Sequence, residues 1–422
     1  MANKQSGLVL GVTALTLTTL AVTGAGILSN QSQATFSESP KELVDEVWQI
    51  IDKNYVDATF NQLDWRAVRN EYLGRDYGNS EQAYDAIREM LKMLDDPYTR
   101  FMNPEEFKNM QIDTSGQLTG VGIQIAKDEE TNQLMVIAPI EDTPAFEAGI
   151  LAKDVITKID GQSTEGMEIN DAVQLIRGRE GTQVTLTIMR DGAEQDYFIT
   201  RAKIEIHPVR AHSESSSSGD VGYIRLNQFS ANAAKEMKEA INEFEDQQVS
   251  GYILDLRSNP GGLLYSSVDI ARMWLNEGEI VYTVSRTGEE DHQKANGRAL
   301  TDKPMVILVD GGSASASEIL SGALQDHKRA TLVGTKTFGK GLVQSVRGLG
   351  DGSGLAVTIA KYLTPDGRDI NKLGIVPDVV FEMSEEQRKE LQRDRTKIGT
   401  PDDPQFAKAL AVLEEKIATA SN

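Results

Sequence analysis

Cysteine is absent from all 422 residues. Disulfides, a thiol nucleophile, iron–sulfur clusters and thiolate zinc sites are therefore excluded. Histidine is scarce: the four are His207, His212, His292 and His327, and none has H-E-x-x-H spacing. Any metal site would have to rest mainly on oxygen ligands, and neither a metal nor another cofactor is expected. Positive charge is in deficit, with 43 Lys and Arg against 64 Asp and Glu, a net charge of −21. Such a surface repels phosphate backbones, which argues against nucleic acid as a partner and against a broad basic face for anionic lipid. Proline numbers only 12, while apolar residues make up 39% and charged residues 25%. That balance is globular, and the length suits about two to three domains.

Long apolar runs are confined to the start. No charged residue occurs from Gln5 to Ser37, and Leu8 to Leu28 is largely apolar but interrupted by threonines. One reading is a signal peptide cut near Thr23-Gly24-Ala25 or Ser32-Gln33-Ala34. The other is an uncleaved anchor giving membrane association through residues 8–28, since a span needs about 20 apolar residues. Both export the rest of the chain, which must then hold together by core packing alone.

Beyond Pro40 the texture changes three times. Leu43, Val44, Val47, Trp48 and Ile51 form one helical stripe, and Ala83, Ile87, Met90, Leu91 and Leu94 another, before Asp96-Pro97 breaks the pattern. From Thr119 to about Lys203 short strand-like runs dominate, including Val155 to Ile159 before the turn signal Asp160-Gly161. The polar run Ser213 to Gly219 reads as a loop or linker. Apolar strands at Tyr252 to Leu256 and Met305 to Val309 then alternate with helices, which implies crossover units and a mainly parallel sheet. The tail from Ser384 is charged and helical.

Four short segments carry possible chemistry. Gly311 to Leu320 follows the strand ending near Asp310, and Ser315 with Glu318 has the spacing of a capping box. Ser315 either only caps that helix or presents its hydroxyl where helix N–H groups face an anion; the two are compatible. A serine nucleophile needs a base. His327 lies twelve residues along the same helix, about 18 Å away at 1.5 Å per residue, and cannot reach it. Lys340 can serve only if burial makes it neutral. Gly334 to Lys340 nearly matches a phosphate loop, but Gly341 stands where the magnesium-binding hydroxyl belongs. Asp255 to Gly262 ends a strand with two glycines whose N–H groups could receive an oxyanion, or it is a plain turn. Gly120-Val121-Gly122-Ile123 is either a hairpin turn or a loop that captures a chain terminus beside an exposed strand edge.

Together these segments resemble the carboxyl-terminal processing peptidases, or tail-specific proteases of peptidase family S41, most closely cyanobacterial and plastid members. The resemblance runs from about Pro40 to Glu382. It rests on Asp96-Pro97-Tyr98-Thr99-Arg100-Phe101-Met102, Leu175-Ile176-Arg177-Gly178 and Asp255-Leu256-Arg257-Ser258-Asn259-Pro260-Gly261-Gly262. It continues through Ser313 to Ile319, Phe338 to Gln344 and Tyr362 to Gly367. It implies an α+β multidomain chain. The parts are a leader or anchor (1–34), a helical N-terminal segment (35–110), a β-rich PDZ domain (111–204), an α/β catalytic core with a mainly parallel sheet (205–383), which may recruit flanking segments, and a helical tail (384–422).

The same resemblance implies a serine endopeptidase of the periplasm or thylakoid lumen that needs no cofactor. Ser315 is then the nucleophile, Lys340 the base and Gln344 the residue that orients it. Gly262 and the Ala316 N–H become oxyanion donors, and Asp255, Arg257 and Glu318 support the site. Gly120, Val121, Gly122 and Ile123 would take the tail of a protein or peptide substrate with a free C-terminus. Arg177 matches a residue that stabilises the active arrangement. The rival reading is a non-catalytic PDZ scaffold that only binds C-terminal peptides; a phosphate-loop enzyme is more distant.

Overall fold

A computed structural model describes residues 39–420 apart from 129–130, 141 and 289. The leader or anchor expected over residues 1–34 lies outside the described residues. Among those described, no helix is long and apolar enough to cross a membrane.

The chain is mixed α/β. The N-terminal helices Pro40–Asn54, Trp65–Gly74 and Ser80–Lys92 bury both predicted stripes in a shared core. Ser39 and Glu42 form a capping box ahead of Pro40, so the first helix starts where its orphan N–H groups are satisfied. This unit is not separate from the rest. Strand Arg100–Met102 pairs antiparallel with Gly354–Leu363, and Leu355 and Val357 of that strand pack into the helical core.

Helix Pro104–Ser115 leads into strand Gln117–Gly120, which pairs with Ala202–Glu205. That two-stranded ribbon brackets the β-rich unit. There six strands and helix Ile169–Ile176 enclose one apolar core, and strand Ile123–Lys127 forms one edge of the sheet.

A second six-stranded sheet has the order Val209–Ser216, Gly219–Leu226, Tyr252–Asp255, Met305–Val309, Thr331–Gly334, Val379–Val380. Its first pair is antiparallel and the other four are parallel. Met305–Val309 is buried along its whole length because both faces are covered, which explains its unbroken apolar run. Helices Ala233–Asp246, Leu264–Ala271 and Ala316–Asp326 pack on one face, and helix Pro404–Ala420 covers the other through Phe406, Ala409 and Leu413.

One expectation is corrected. Ser213 to Gly219 is no linker: eight cross-strand partners run from Val209↔Leu226 to Ser216↔Gly219. Only Ser217 and Ser218 turn the chain. Low apolar content marks a solvated edge strand here, because the pairing uses backbone groups that composition does not register.

Candidate active site

Ser315 stands between strand Met305–Val309 and helix Ala316–Asp326 with φ 54° and ψ −113°. A positive φ at a residue with a Cβ costs roughly 1–3 kcal/mol and persists only where neighbours enforce it. Here they do. The Ala314 N–H and the Ser317 hydroxyl both donate to the Asn259 carbonyl, at 3.0 and 2.9 Å. The Ser313 hydroxyl donates to the Leu256 carbonyl at 2.8 Å. Ser315 and Glu318 form the capping box that their spacing predicts: the Ser315 N–H donates to Glu318 Oε2 at 2.9 Å and the Glu318 N–H donates back to Ser315.

Glu318 is fully buried and joins two loops. Its Oε2 accepts from the Ser315 N–H at 2.9 Å and from the Lys340 N–H at 2.8 Å. Its Oε1 accepts from the Gly339 N–H at 2.7 Å and from the Thr337 hydroxyl at 2.5 Å. The backbones of Ser315 and Lys340 thus stand one carboxylate oxygen apart. On their carbonyl side the buried Tyr362 hydroxyl touches both, bonding the Ser315 carbonyl at 3.2 Å and the Lys340 carbonyl more closely. Tyr362 belongs to a motif that carried the resemblance, yet its sequence gives no hint of this clamp.

Burial pushes the Lys340 ammonium below the ordinary lysine range, and the positive charge of Arg100 adds to the shift; Asp96 and Glu318 oppose it. The Lys340 Nζ lies 4.8 Å from the centre of the Tyr98 ring. Ser315, Lys340, Gln344, Gly262 and Ala316 line a single cavity of about 870 Å³. Phe107, Met110, Gln111 and Thr114 of helix Pro104–Ser115 line it too. His327 is elsewhere, its ring bonded to the Glu279 carbonyl at 2.6 Å.

Gly262 and Ala316, the oxyanion candidates, both line this cavity. Gly262 bridges to Phe229 through its neighbours: the Phe229 N–H donates to the Gly261 carbonyl and the Leu263 N–H to the Phe229 carbonyl. In that parallel pattern the Gly262 N–H points the other way. Its φ of +140° and the 2.4 Å that an added Cβ would leave to the Phe229 carbonyl require glycine. Ala316 opens the helix, so its N–H is one of the orphan donors of the first turn.

Asp255 is fully buried and Arg257 beside it is nearly so. Burial alone would raise the Asp255 carboxyl, but Arg257 beside it holds it below the ordinary aspartate range. Arg257 also forks onto Asp403, at 3.1 and 2.7 Å. The Gln405 side chain donates to the carbonyls of Val309 and Val333 at the ends of two sheet strands. Asp403 and Gln405 were not singled out from sequence, because nothing in a charged tail marks which residue reaches the sheet.

The tail-binding candidates lie in the β-rich unit. Val121 buries its side chain in that core, and its carbonyl accepts from the Ala145 N–H at 2.8 Å. Gly122 has φ +83°, and a Cβ there would come within 2.3 Å of Thr143. Ile123 opens the edge strand. Arg177, just past the helix of this unit, donates to Asn109 Oδ1 at 2.7 Å, and Gln174 bonds Glu105. Both partners sit on the helix that lines the cavity.

Comparison with known proteins identifies the lineage. The model of peptidase family S41 matches residues 220–381, that of the PDZ domain residues 135–190, and that of the tricorn protease C1 domain residues 36–75. A carboxyl-terminal-processing protease of Synechocystis is 48% identical over 392 residues, covering 92% of this chain and 90% of its own. The chain belongs to peptidase family S41. It is a carboxyl-terminal-processing serine peptidase with a PDZ domain. An Arabidopsis relative, carboxyl-terminal-processing peptidase 2, chloroplastic, is 40% identical over 85% of this chain and 72% of its own. The solved structure of a photosystem II D1 C-terminal processing protease is 38% identical with a TM-score of 0.57, covering 87% of this chain and 99% of that one.

Proposed function

We propose that this S41 peptidase cleaves near the C-terminus of exported proteins with a Ser315–Lys340 dyad. The observation that carries this reading is the clamp: Glu318 and Tyr362 hold the two backbones together, and both side chains line one cavity. Lys340, neutral, takes the Ser315 proton as the hydroxyl oxygen attacks the scissile carbonyl. The N–H groups of Gly262 and Ala316 receive the developing oxyanion. The Ser315 ester that forms is released by water. Gln344 orients the lysine amine.

Strand Leu342–Gly348 pairs with Gly354–Leu363, and residues 342–346 line the cavity. An extended substrate chain adds along that strand's other edge, directly after Lys340. The PDZ loop at Gly120 to Ile123 takes the substrate's terminal carboxylate, and Arg177 couples that domain to the helix over the cleft. The names of the plastid and cyanobacterial relatives favour the thylakoid lumen, with the periplasm as the bacterial equivalent. A photosystem II reaction-centre precursor is the specific substrate candidate.

Two measurements test the assignment. A quenched peptide with a free C-terminal carboxylate is expected to be cut at least about tenfold more efficiently than its C-terminal amide, because the amide lacks the anion the loop receives. Equal kcat/KM for the two removes the tail-reading step. The second is the pH–rate profile. The base works only as the free amine, so kcat/KM falls as acid protonates Lys340, and burial together with the Arg100 charge moves that limb below the ordinary lysine range. A profile that does not fall on the acid side removes Lys340 as base.

A further inference from the structure

We propose that the segment Asp96–Arg100, supplied by the helical N-terminal unit, is a working part of the catalytic centre, with Asp96, Thr99 and Thr358 orienting Gln344 and with Tyr98 and the charged Asp96 and Arg100 set beside the Lys340 amine. The proposal rests on the dyad reading above.

The first half is a chain of hydrogen bonds. Asp96 Oδ2 accepts from the Thr99 hydroxyl at 2.7 Å. The Thr99 and Thr358 hydroxyl oxygens lie 3.3 Å apart, and the Thr358 N–H donates to Thr99 Oγ1 at 3.0 Å. Gln344 Nε2 lies 3.4 Å from Thr358 Oγ1. A carboxylate only accepts, so it sets the direction of every bond behind it. With the single Thr99 proton committed to Asp96, the proton between the two hydroxyls belongs to Thr358. Thr358 is then an acceptor for Gln344. That fixes the amide with Nε2 toward Thr358 and leaves Oε1 as the acceptor for an amine. Thr99 and Thr358 are buried, so no bulk water competes for these bonds.

The second half is electrostatic. The groups acting on Lys340 come from every element around it. Arg100 lies on strand Arg100–Met102 and, with Tyr98 of the turn before it, lines the same cavity as Lys340; Asp96 shares that turn, Glu318 lies on the helix after Ser315 and Tyr362 on strand Gly354–Leu363. Glu318 and Tyr362 already have structural duties at the clamp. Asp96 and Arg100 act with opposite signs: Asp96 favours the ammonium and Arg100 opposes it. Asp96 Oδ1 also accepts from the Tyr98 N–H at 2.9 Å, which places the ring that faces the Lys340 Nζ.

The test measures pH profiles of kcat and KM on the full chain, with a quenched peptide bearing a free apolar C-terminal residue. Asp96→Asn is expected to move the acid limb of kcat/KM to lower pH, and Arg100→Gln to higher pH. Thr99→Val changes no charge, so its limb stays put while plateau kcat drops about tenfold with KM unchanged, the scale of one lost buried hydrogen bond. Thr99→Ser restores kcat to within about twofold. Arg100 is exposed and pairs through its backbone, so its variant keeps the fold and decides the electrostatic half even if Asp96→Asn does not fold. Limbs that stay at the wild-type pH in the charge variants, or shift the same way in both, overturn the proposal, as does full kcat in Thr99→Val. A wild-type profile with no acid limb would instead sink the lysine base itself.

Discussion

Replacing Lys340 by alanine is expected to lower kcat/KM on a tailed peptide by at least about a thousandfold while leaving the thermal melt close to wild type. The rate loss follows from the proposed dyad, in which Ser315 without its base is an unactivated hydroxyl. The retained fold follows from where Lys340 is held: its N–H bonds Glu318 and its carbonyl bonds Tyr362, and alanine keeps both. Ser315→Ala should lose as much, and the double variant little more, because nucleophile and base act as a unit. Lys340→Arg separates charge from basicity. A guanidinium keeps the positive charge but cannot give up a proton near neutral pH, so this variant should be as inactive as the alanine. Activity above about a tenth of wild type in Lys340→Arg would mean that the residue acts by charge, not by accepting the serine proton.

Much of this site was legible because its parts lie in short segments of unusual composition. Two glycines ending at Gly262, a run of small residues around Ser315 and the Gly-Lys-Gly at 339–341 each follow a strand of the sheet. A sheet of this kind brings the carboxyl ends of its strands to one rim. The buried stripe of Leu43, Val44, Val47, Trp48 and Ile51 was legible for a related reason, since helical period and burial coincide there. What stayed hidden depends on contacts between distant segments. The serine run at 213–216 joins a ladder through backbone groups that all residues share. Asp403 is one of many acids in a charged tail until the fold sets it against Arg257. Tyr98 and Thr99 belong to a recognisable motif, but only the pairing of Arg100–Met102 with Gly354–Leu363 brings that motif to Lys340.

The buried ion network around Arg257 yields the largest expected effect on stability. Arg257 lies between two fully buried carboxylates: it meets Asp255 at 2.6 Å and Asp403 at 2.7 Å. Removing one partner of such a network strands the others in a low-dielectric interior, at a cost of about 3–5 kcal/mol. Arg257→Met fills similar space and leaves two carboxylates without their shared cation, so its unfolding free energy from urea titration should fall by that amount at neutral pH. Asp403→Ala should lose less, because Arg257 keeps its fork onto Asp255. The pH dependence has a definite sign. In the wild type the Asp255 pKa is depressed in the folded state, so the stability it contributes is present above the unfolded aspartate range and is lost only as pH falls through the depressed folded value. In Arg257→Met burial acts on Asp255 with its main counter-charge gone and raises the folded pKa instead. The folded state then binds the proton more tightly than the unfolded state does, and acidification stabilises the variant. The gap between wild type and Arg257→Met should therefore be widest near neutrality and narrow toward pH 4. A constant gap across that range would mean that lost packing, rather than two stranded charges, accounts for the deficit.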